Sequence, residues 1–188
     1  MLKLLASMLI GCAMVVPAFA ADEYTIDPDH TYPMFEVSHM GFSTQRGRFN
    51  KTTGKIALDR ATKQGSVNLV IDVASLDMGF PLWDEEMAGE EYFNTANYPT
   101  MTFRSAKLIF EGDQLVAAEG FLTLLGVSKP VRLTVNNFKC GAHPFFKKEM
   151  CGAEIATTIK RSDFGMTKAL SVVGDEIKIH SPIEAFKN

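Results

Sequence analysis

The chain is poor in the features that usually announce an activity. It holds four histidines, and these form neither His-x-His nor His-Glu-x-x-His, so the common zinc-hydrolase pattern is missing. No Gly-x-Ser-x-Gly elbow occurs either, which leaves no serine nucleophile of that kind. There is no polybasic arm and no RNA-binding signature, and a net charge of −3 gives nucleic acid nothing to hold. Neither internal repeats nor low-complexity segments appear, so no solenoid and no long disordered linker is expected. Beyond the first 20 residues, no apolar run approaches the ~18 residues that a spanning helix needs.

What is present is enough for one domain with a real core: 188 residues, of which 46% are hydrophobic. The first 20 residues read as a cleaved secretory leader. Lys3 supplies the charge, Leu4 to Val16 the apolar run and Ala18-Phe19-Ala20 the small-x-small site, with cleavage expected before Ala21. Leu9-Ile10-Gly11-Cys12 also looks like a lipobox, which would anchor the protein through Cys12. The residues after it stay apolar where a tether would be polar, so the simple leader is preferred. Residues 21–188 are then a single, mildly acidic domain in an oxidising compartment.

The clearest stretch runs from Gly120 to Val135. Val131, Leu133 and Val135 alternate with Arg132, Thr134 and Asn136, while Leu122 and Leu124 supply a matching dry face before a turn at Leu125-Gly126-Val127-Ser128. Elsewhere the same period of two recurs. Tyr24 to Ile26 opens the domain, Met34 to His39 follows, and Gly47-Arg48-Phe49 starts a run expected to turn at Asn50 to Gly54. Val67, Leu69, Ile71 and Val73 give the cleanest alternation, and Met101, Phe103, Leu108 and Phe110 continue it. Ile155, Thr157 and Ile159 make another strand, and Ile177, Ile179, Ile183 and Ala185 the last. Pro182 marks an edge or a bulge there. Pro81 to Tyr92 alone has a helical period, read as a short amphipathic helix whose Asp84, Glu85 and Glu86 form a wet face.

Cys140 and Cys151 flank a charged loop expected between strands ending near Phe138 and starting near Ala153. In a secreted chain this even pair reads as a structural disulfide stapling a hairpin neck. A zinc site with His143 or a redox pair are the alternatives, but the ligand set is incomplete and the spacing is not Cys-x-x-Cys. Eight or nine short strands without a linker point to an all-β closed antiparallel barrel or a sandwich with one short helical insertion. A barrel of ~8 strands can just be filled by side chains or can hold one small ligand.

The motifs resemble those of the YceI-like periplasmic proteins, named for polyisoprenoid binding. The likeness begins with Tyr24-Thr25-Ile26-Asp27-Pro28-Asp29-His30-Thr31, passes through Phe35, His39 and Gly47-Arg48-Phe49, and recurs from Phe93 to Ser105. It continues in the Leu-Thr-x-x-Gly-x-Ser-Lys-Pro-Val run from Leu122 to Val131, in Arg161-Ser162-Asp163-Phe164-Gly165-Met166, in Gly174-Asp175-Glu176-Ile177 and in Ile183-Glu184-Ala185. It implies an extended lipocalin-like barrel holding a long isoprenoid lipid, either a quinone or a polyprenyl phosphate, and no other cofactor. Two departures stand out. Leu125 replaces a polar residue, and Trp83-Asp84-Glu85-Glu86-Met87 stands where the family has a basic-Asp-x-His-Leu run, which implies a different or less anionic head group.

The expected lining is the inward set Phe35, Val37, Ile71, Phe103, Leu122, Leu124, Val131, Leu133 and Ile179, with Arg46, Arg48 and Arg104 as candidates to meet a charged head group. Asp27 and His30 are read as holding the first turn rather than as an acid-base pair. The expectation is therefore a periplasmic binding or carrier protein and not an enzyme, with a membrane redox protein as a candidate partner. A secreted interaction or stress-related protein with a filled barrel is the alternative; a metal-dependent enzyme ranks behind both.

Overall fold

Alternating inward apolar and outward polar side chains build eleven antiparallel strands in residues 21–188, the part of the chain that the computed structural model describes. The expected leader, with Cys12, lies outside the described residues. The elements are β1 (Asp22–Ile26), β2 (Met34–His39), β3 (Ser43–Phe49), β4 (Thr52–Asp59), β5 (Gln64–Asp72), β6 (Leu76–Asp77), the helix α1 (Pro81–Ala88), β7 (Thr100–Glu111), β8 (Gln114–Leu124), β9 (Val127–Ala142), β10 (Glu149–Lys160) and β11 (Val173–Lys187). Strands β1, β4, β5, β7, β8, β9, β10 and β11 follow one another around a ring that closes where β1 pairs with β11. The expected all-β barrel with one helix is the fold, and closure leaves its strands without a free edge around the ring. Strands β2, β3 and β6 continue the sheet from β11 and wall the upper part.

The long β11 serves both neighbours. Its first part pairs with β2 as far as His180 against Met34, and its last part pairs with β1 from Ala185 against Ile26. Pro182 falls between the two registers, the local edge its missing N–H requires, and the strand runs through it unbroken. Thr31 fills the gap: its hydroxyl accepts from the Glu184 N–H at 3.0 Å and donates to the Glu184 carbonyl at 3.3 Å.

Three local expectations are corrected. Gly47-Arg48-Phe49 ends a strand rather than starting one, because polar Ser43 to Arg46 already pair with β2; the turn is Asn50-Lys51, and Thr52 to Gly54 belong to β4. The cysteines lie inside β9 and β10, directly opposite each other, so the connecting loop is only 143–148. And α1 is shorter and more exposed than expected: it starts at Pro81 but ends at Ala88, capped by Gly89, short of Tyr92, and no residue of it is buried, with Leu82 64% and Trp83 39% exposed. Met87 of α1 packs against the upper cluster, and the segment after the helix adds Tyr92 and the buried Phe93.

The β8–β9 hairpin closes in two residues, Leu125 at φ 52° and Gly126 at φ 73°. Both positive angles are those of a type I′ turn, in which asparagine and glycine are the ordinary pair. Gly126 is also needed for space, since a Cβ there would come within 2.9 Å of the Tyr98 ring. Along β7 the register slips between Ser105 and Lys107, so inward positions change from Met101, Phe103 and Ser105 to Leu108 and Phe110. The Ser105 hydroxyl bridges the bulge, donating to the Glu119 carbonyl at 2.7 Å and accepting from the Lys107 N–H at 3.1 Å.

Candidate ligand-binding site

The barrel interior splits into two apolar clusters. Around Tyr24, Ile26, Leu58, Ala118, Cys151 and Ala185 the side chains close the lower end; around Phe49, Ile71, Phe93, Met101, Phe164 and Met166 they line the upper end. A cavity of about 150 Å³ lies in the upper cluster, and a smaller one of about 70 Å³ in the lower. Leu69, Phe103, Leu133, Ile155 and Ile183 line both. These five side chains, from five different strands, form a waist between two chambers.

All nine apolar residues expected to face inward lie in the upper chamber's wall: Phe35 and Val37 from β2, Ile71 from β5, Phe103 from β7, Leu122 and Leu124 from β8, Val131 and Leu133 from β9, and Ile179 from β11. Strand alternation alone puts them there. The roof comes from connections rather than strands. Phe93, delivered by the 89–99 segment, packs edge-on to Phe49 with ring centroids 5.3 Å apart, and Phe35 lies 5.9 Å from Phe49 and 6.1 Å from Phe93. Phe35 has room because β3 places Gly47 opposite it; a Cβ at Gly47 would come within 2.6 Å of the ring. Backbone bonds from Phe93 N–H to Met87 O (2.9 Å) and from Thr95 N–H to Ala88 O (3.0 Å) fasten this roof to α1.

Met166 and Arg161 complete the wall from the β10–β11 connection. Arg161 is 3% exposed and forms no salt bridge among the described residues. Its guanidinium donates to four carbonyls instead: Gly174 (2.9 Å), Met166 (3.1 Å), Lys168 (2.7 Å) and Val173 (3.0 Å). Burial pushes its pKa down, and nearby Asp175 opposes this. Asp175 in turn accepts from the Ser162 N–H at 2.9 Å and from its hydroxyl at 2.8 Å, which holds its carboxyl below the usual range. The Arg161-to-Met166 motif thus ties a long connection into a rigid cap.

The arginines expected at a head group stand elsewhere. Arg46 is exposed and donates to Glu36 at 2.8 Å; Arg48 lies 3.6 Å from Asp77 and 5.5 Å from the Tyr32 ring centroid. Arg104 points outward because its neighbours Phe103 and Ser105 point in. None of the three lines the upper chamber. Phe49, Thr52, Phe93, Met101, Arg161 and Met166 were missed; for Phe49 and Met101 the strand period was a usable signal, for the others there was none.

Asp27, His30 and Glu184 bring donor atoms within 4.8 Å of one another, but on the surface and away from both chambers. His30 Nδ1 bonds Asp27 Oδ2 at 2.9 Å, and Asp27 Oδ1 accepts from the Asp29 N–H at 3.1 Å. The Asp27 hydrogen bond raises the His30 pKa above its ordinary value. This is a turn held by its own side chains. Cys140 and Cys151 are joined as a disulfide, with Cα atoms 4.0 Å apart.

Known proteins resemble this chain in sequence and fold. A UPF0312 protein of Ectopseudomonas mendocina is 30% identical over 97% of both chains, and one of Shewanella oneidensis is 30% identical over the full length of both. Among solved structures, BcnA of Burkholderia cenocepacia is 27% identical with a TM-score of 0.71, covering 85% of this chain and 98% of that one. A polyisoprenoid binding domain from Saccharophagus degradans shares the fold at 19% identity and a TM-score of 0.66, covering 88% and 98%. The model of the YceI-like domain matches residues 24–185, nearly everything from the first strand to the last, and the protein belongs to that family.

Proposed function

We propose that this protein is a periplasmic carrier for a long-chain isoprenoid with a neutral head group of the quinone class. The observation that carries this reading is the upper chamber, a closed barrel interior whose wall is apolar nearly throughout. Each methylene buried there contributes about 0.8 kcal/mol, so hydrocarbon contact supplies affinity with few polar partners. The S. degradans relative is described as a polyisoprenoid binding domain, a property of that protein that agrees with such cargo.

A neutral head fits better than a polyprenyl phosphate. Arg161 is the one cationic side chain in the chamber wall among the described residues, and four of its five N–H groups already serve carbonyls. A phosphate there would be an under-compensated buried charge. Space also matters. A cavity near 150 Å³ accepts a group about the size of benzene, so the upper chamber takes one ring, and a long tail has to part the waist and widen the lower chamber beyond its present 70 Å³ or so. The disulfide and the leader-like residues 1–20 support an oxidising, exported location. A membrane redox protein that reads the quinone head is the fitting partner.

Protein purified from its native host and extracted with organic solvent is expected to yield a near-stoichiometric prenyl lipid by mass spectrometry. Repeatedly empty extracts would overturn the carrier reading. They would favour the second one, an interaction protein with a filled barrel, for which the closed waist is the supporting observation.

A further inference from the structure

Neither chamber accounts for the aromatic side chains that stand on the outer surface. Phe145 is 84% and Phe146 72% exposed, side by side in the 143–148 connection at the lower end, and the exposed Lys147 and Lys148 follow them. The connection is held in this shape by its own bonds. His143 N–H donates to the Lys148 carbonyl at 2.8 Å, Lys147 N–H donates to the His143 carbonyl at 3.0 Å, and the N–H groups of Phe145 and Phe146 donate to His143 Nδ1 at 3.2 and 3.1 Å. The His143 ring stacks on Phe146 with centroids 4.5 Å apart and lies 5.5 Å from Phe186, while the Cys140–Cys151 disulfide pins the two strands behind it. The charge here has one sign. Glu149, the next acid along the chain, already serves Tyr24, Arg60 and Lys187, whereas Lys147 and Lys148 form no salt bridge among the described residues. Other exposed apolar groups lack this company: near Phe42, Arg46 is paired with Glu36, and Leu82 and Trp83 share α1 with Asp84, Glu85 and Glu86.

We propose that the 143–148 connection docks this protein on the surface of an anionic phospholipid bilayer, with Phe145 and Phe146 entering the interface and Lys147 and Lys148 meeting lipid phosphates. Peripheral membrane binding draws on buried apolar area and on attraction to anionic lipid, and this loop offers both within four consecutive residues. Each lysine near such a surface strengthens binding about fivefold, and its stem can lie along the apolar boundary while the ammonium stays in water. Because the connection is already ordered, docking costs little further ordering. A second copy of the chain fits less well, since two such loops face to face would bring four lysines together. The inference is independent of what the barrel carries.

The test is co-sedimentation at low salt with vesicles of phosphatidylethanolamine and phosphatidylglycerol, set against vesicles of phosphatidylcholine alone. Wild type is expected to bind the anionic vesicles more tightly than the neutral ones, and high salt should weaken that binding. Lys147→Gln with Lys148→Gln is expected to cut it about 20-fold, and Phe145→Ser about tenfold. Phe42→Ser, which removes an equally exposed phenyl from the β2–β3 turn, should leave it unchanged, and none of these surface changes should move the melting temperature much. Wild type that stays off the anionic vesicles, or loop variants that bind them as wild type does, would overturn the proposal. The first of these results, joined to a dimer that Phe145→Ser dissociates, would give the patch to a second copy instead. None of these outcomes bears on the chambers, so the carrier reading stands or falls separately.

Discussion

The two ends of this barrel are built from different materials. At the lower end strands meet through short connections, 60–63, 112–113 and 143–148, and the interior is closed by Tyr24, Phe103 and Phe138 among aliphatic side chains. A disulfide joins β9 to β10 there, and Glu149 gathers Tyr24 (3.0 Å), Arg60 (2.7 Å) and Lys187 (3.8 Å) around one carboxylate. At the upper end two connections are long, 73–99 and 161–172, beside the two-residue turn 125–126, and phenylalanine and methionine join aliphatic side chains around open space. The difference separates two tasks. Cross-strand covalent and ionic ties hold the lower end, while at the upper end side chains from two long connections complete a chamber that the strands wall, where binding needs room.

The sharpest way to break this division is to remove the waist that separates its halves. Phe103 is 4% exposed and borders both chambers, so Phe103→Ala is expected to cost about 3–5 kcal/mol in urea unfolding. It should also merge the two spaces, and calorimetry with a prenyl series should show a preference shifted to longer tails. An unchanged length preference would mean that the waist does not gate the lower chamber. A second change tests the lower end alone. Cys140→Ala with Cys151→Ala is expected to cost about 3 kcal/mol for a loop of this size, with affinity for a short prenyl quinone kept within about twofold. A large affinity loss would show that the two ends are not independent.

The smallest effect is a pH effect. Burial first, then the Glu149 hydrogen bond and charge, push the Tyr24 pKa up to about 12. In the unfolded chain it titrates near ~10, so the folded state binds this proton more tightly. Its contribution is fully present below pH ~10 and is lost as pH rises through about 12. Unfolding curves between pH 9 and ~12 should therefore fall more steeply for wild type than for Tyr24→Phe; parallel curves would contradict it.

Much of this was legible in the sequence because a barrel obeys a period of two. Once Val131, Leu133 and Leu124 were placed inside, the pleat fixed their neighbours, and nine lining positions followed from one rule. The same rule, applied to β3 and β7, would have turned Arg48 and Arg104 outward beside Phe49 and Phe103. What periodicity does not reach are side chains on connections. Phe93, Arg161 and Met166 enter the chamber from 89–99 and 161–172, where no repeat tells inside from outside. The strand-like start of β3 was hidden by its polar Ser43 to Arg46, and the exposure of α1 by a pattern that fitted a helix packed on a core.

The most direct measurement is a crystal structure of protein purified from its native host with its lipid retained. The account predicts a ring in the upper chamber and a tail passing the waist between Leu69, Phe103 and Leu133. An upper chamber closed by its own side chains, with no guest, would contradict it.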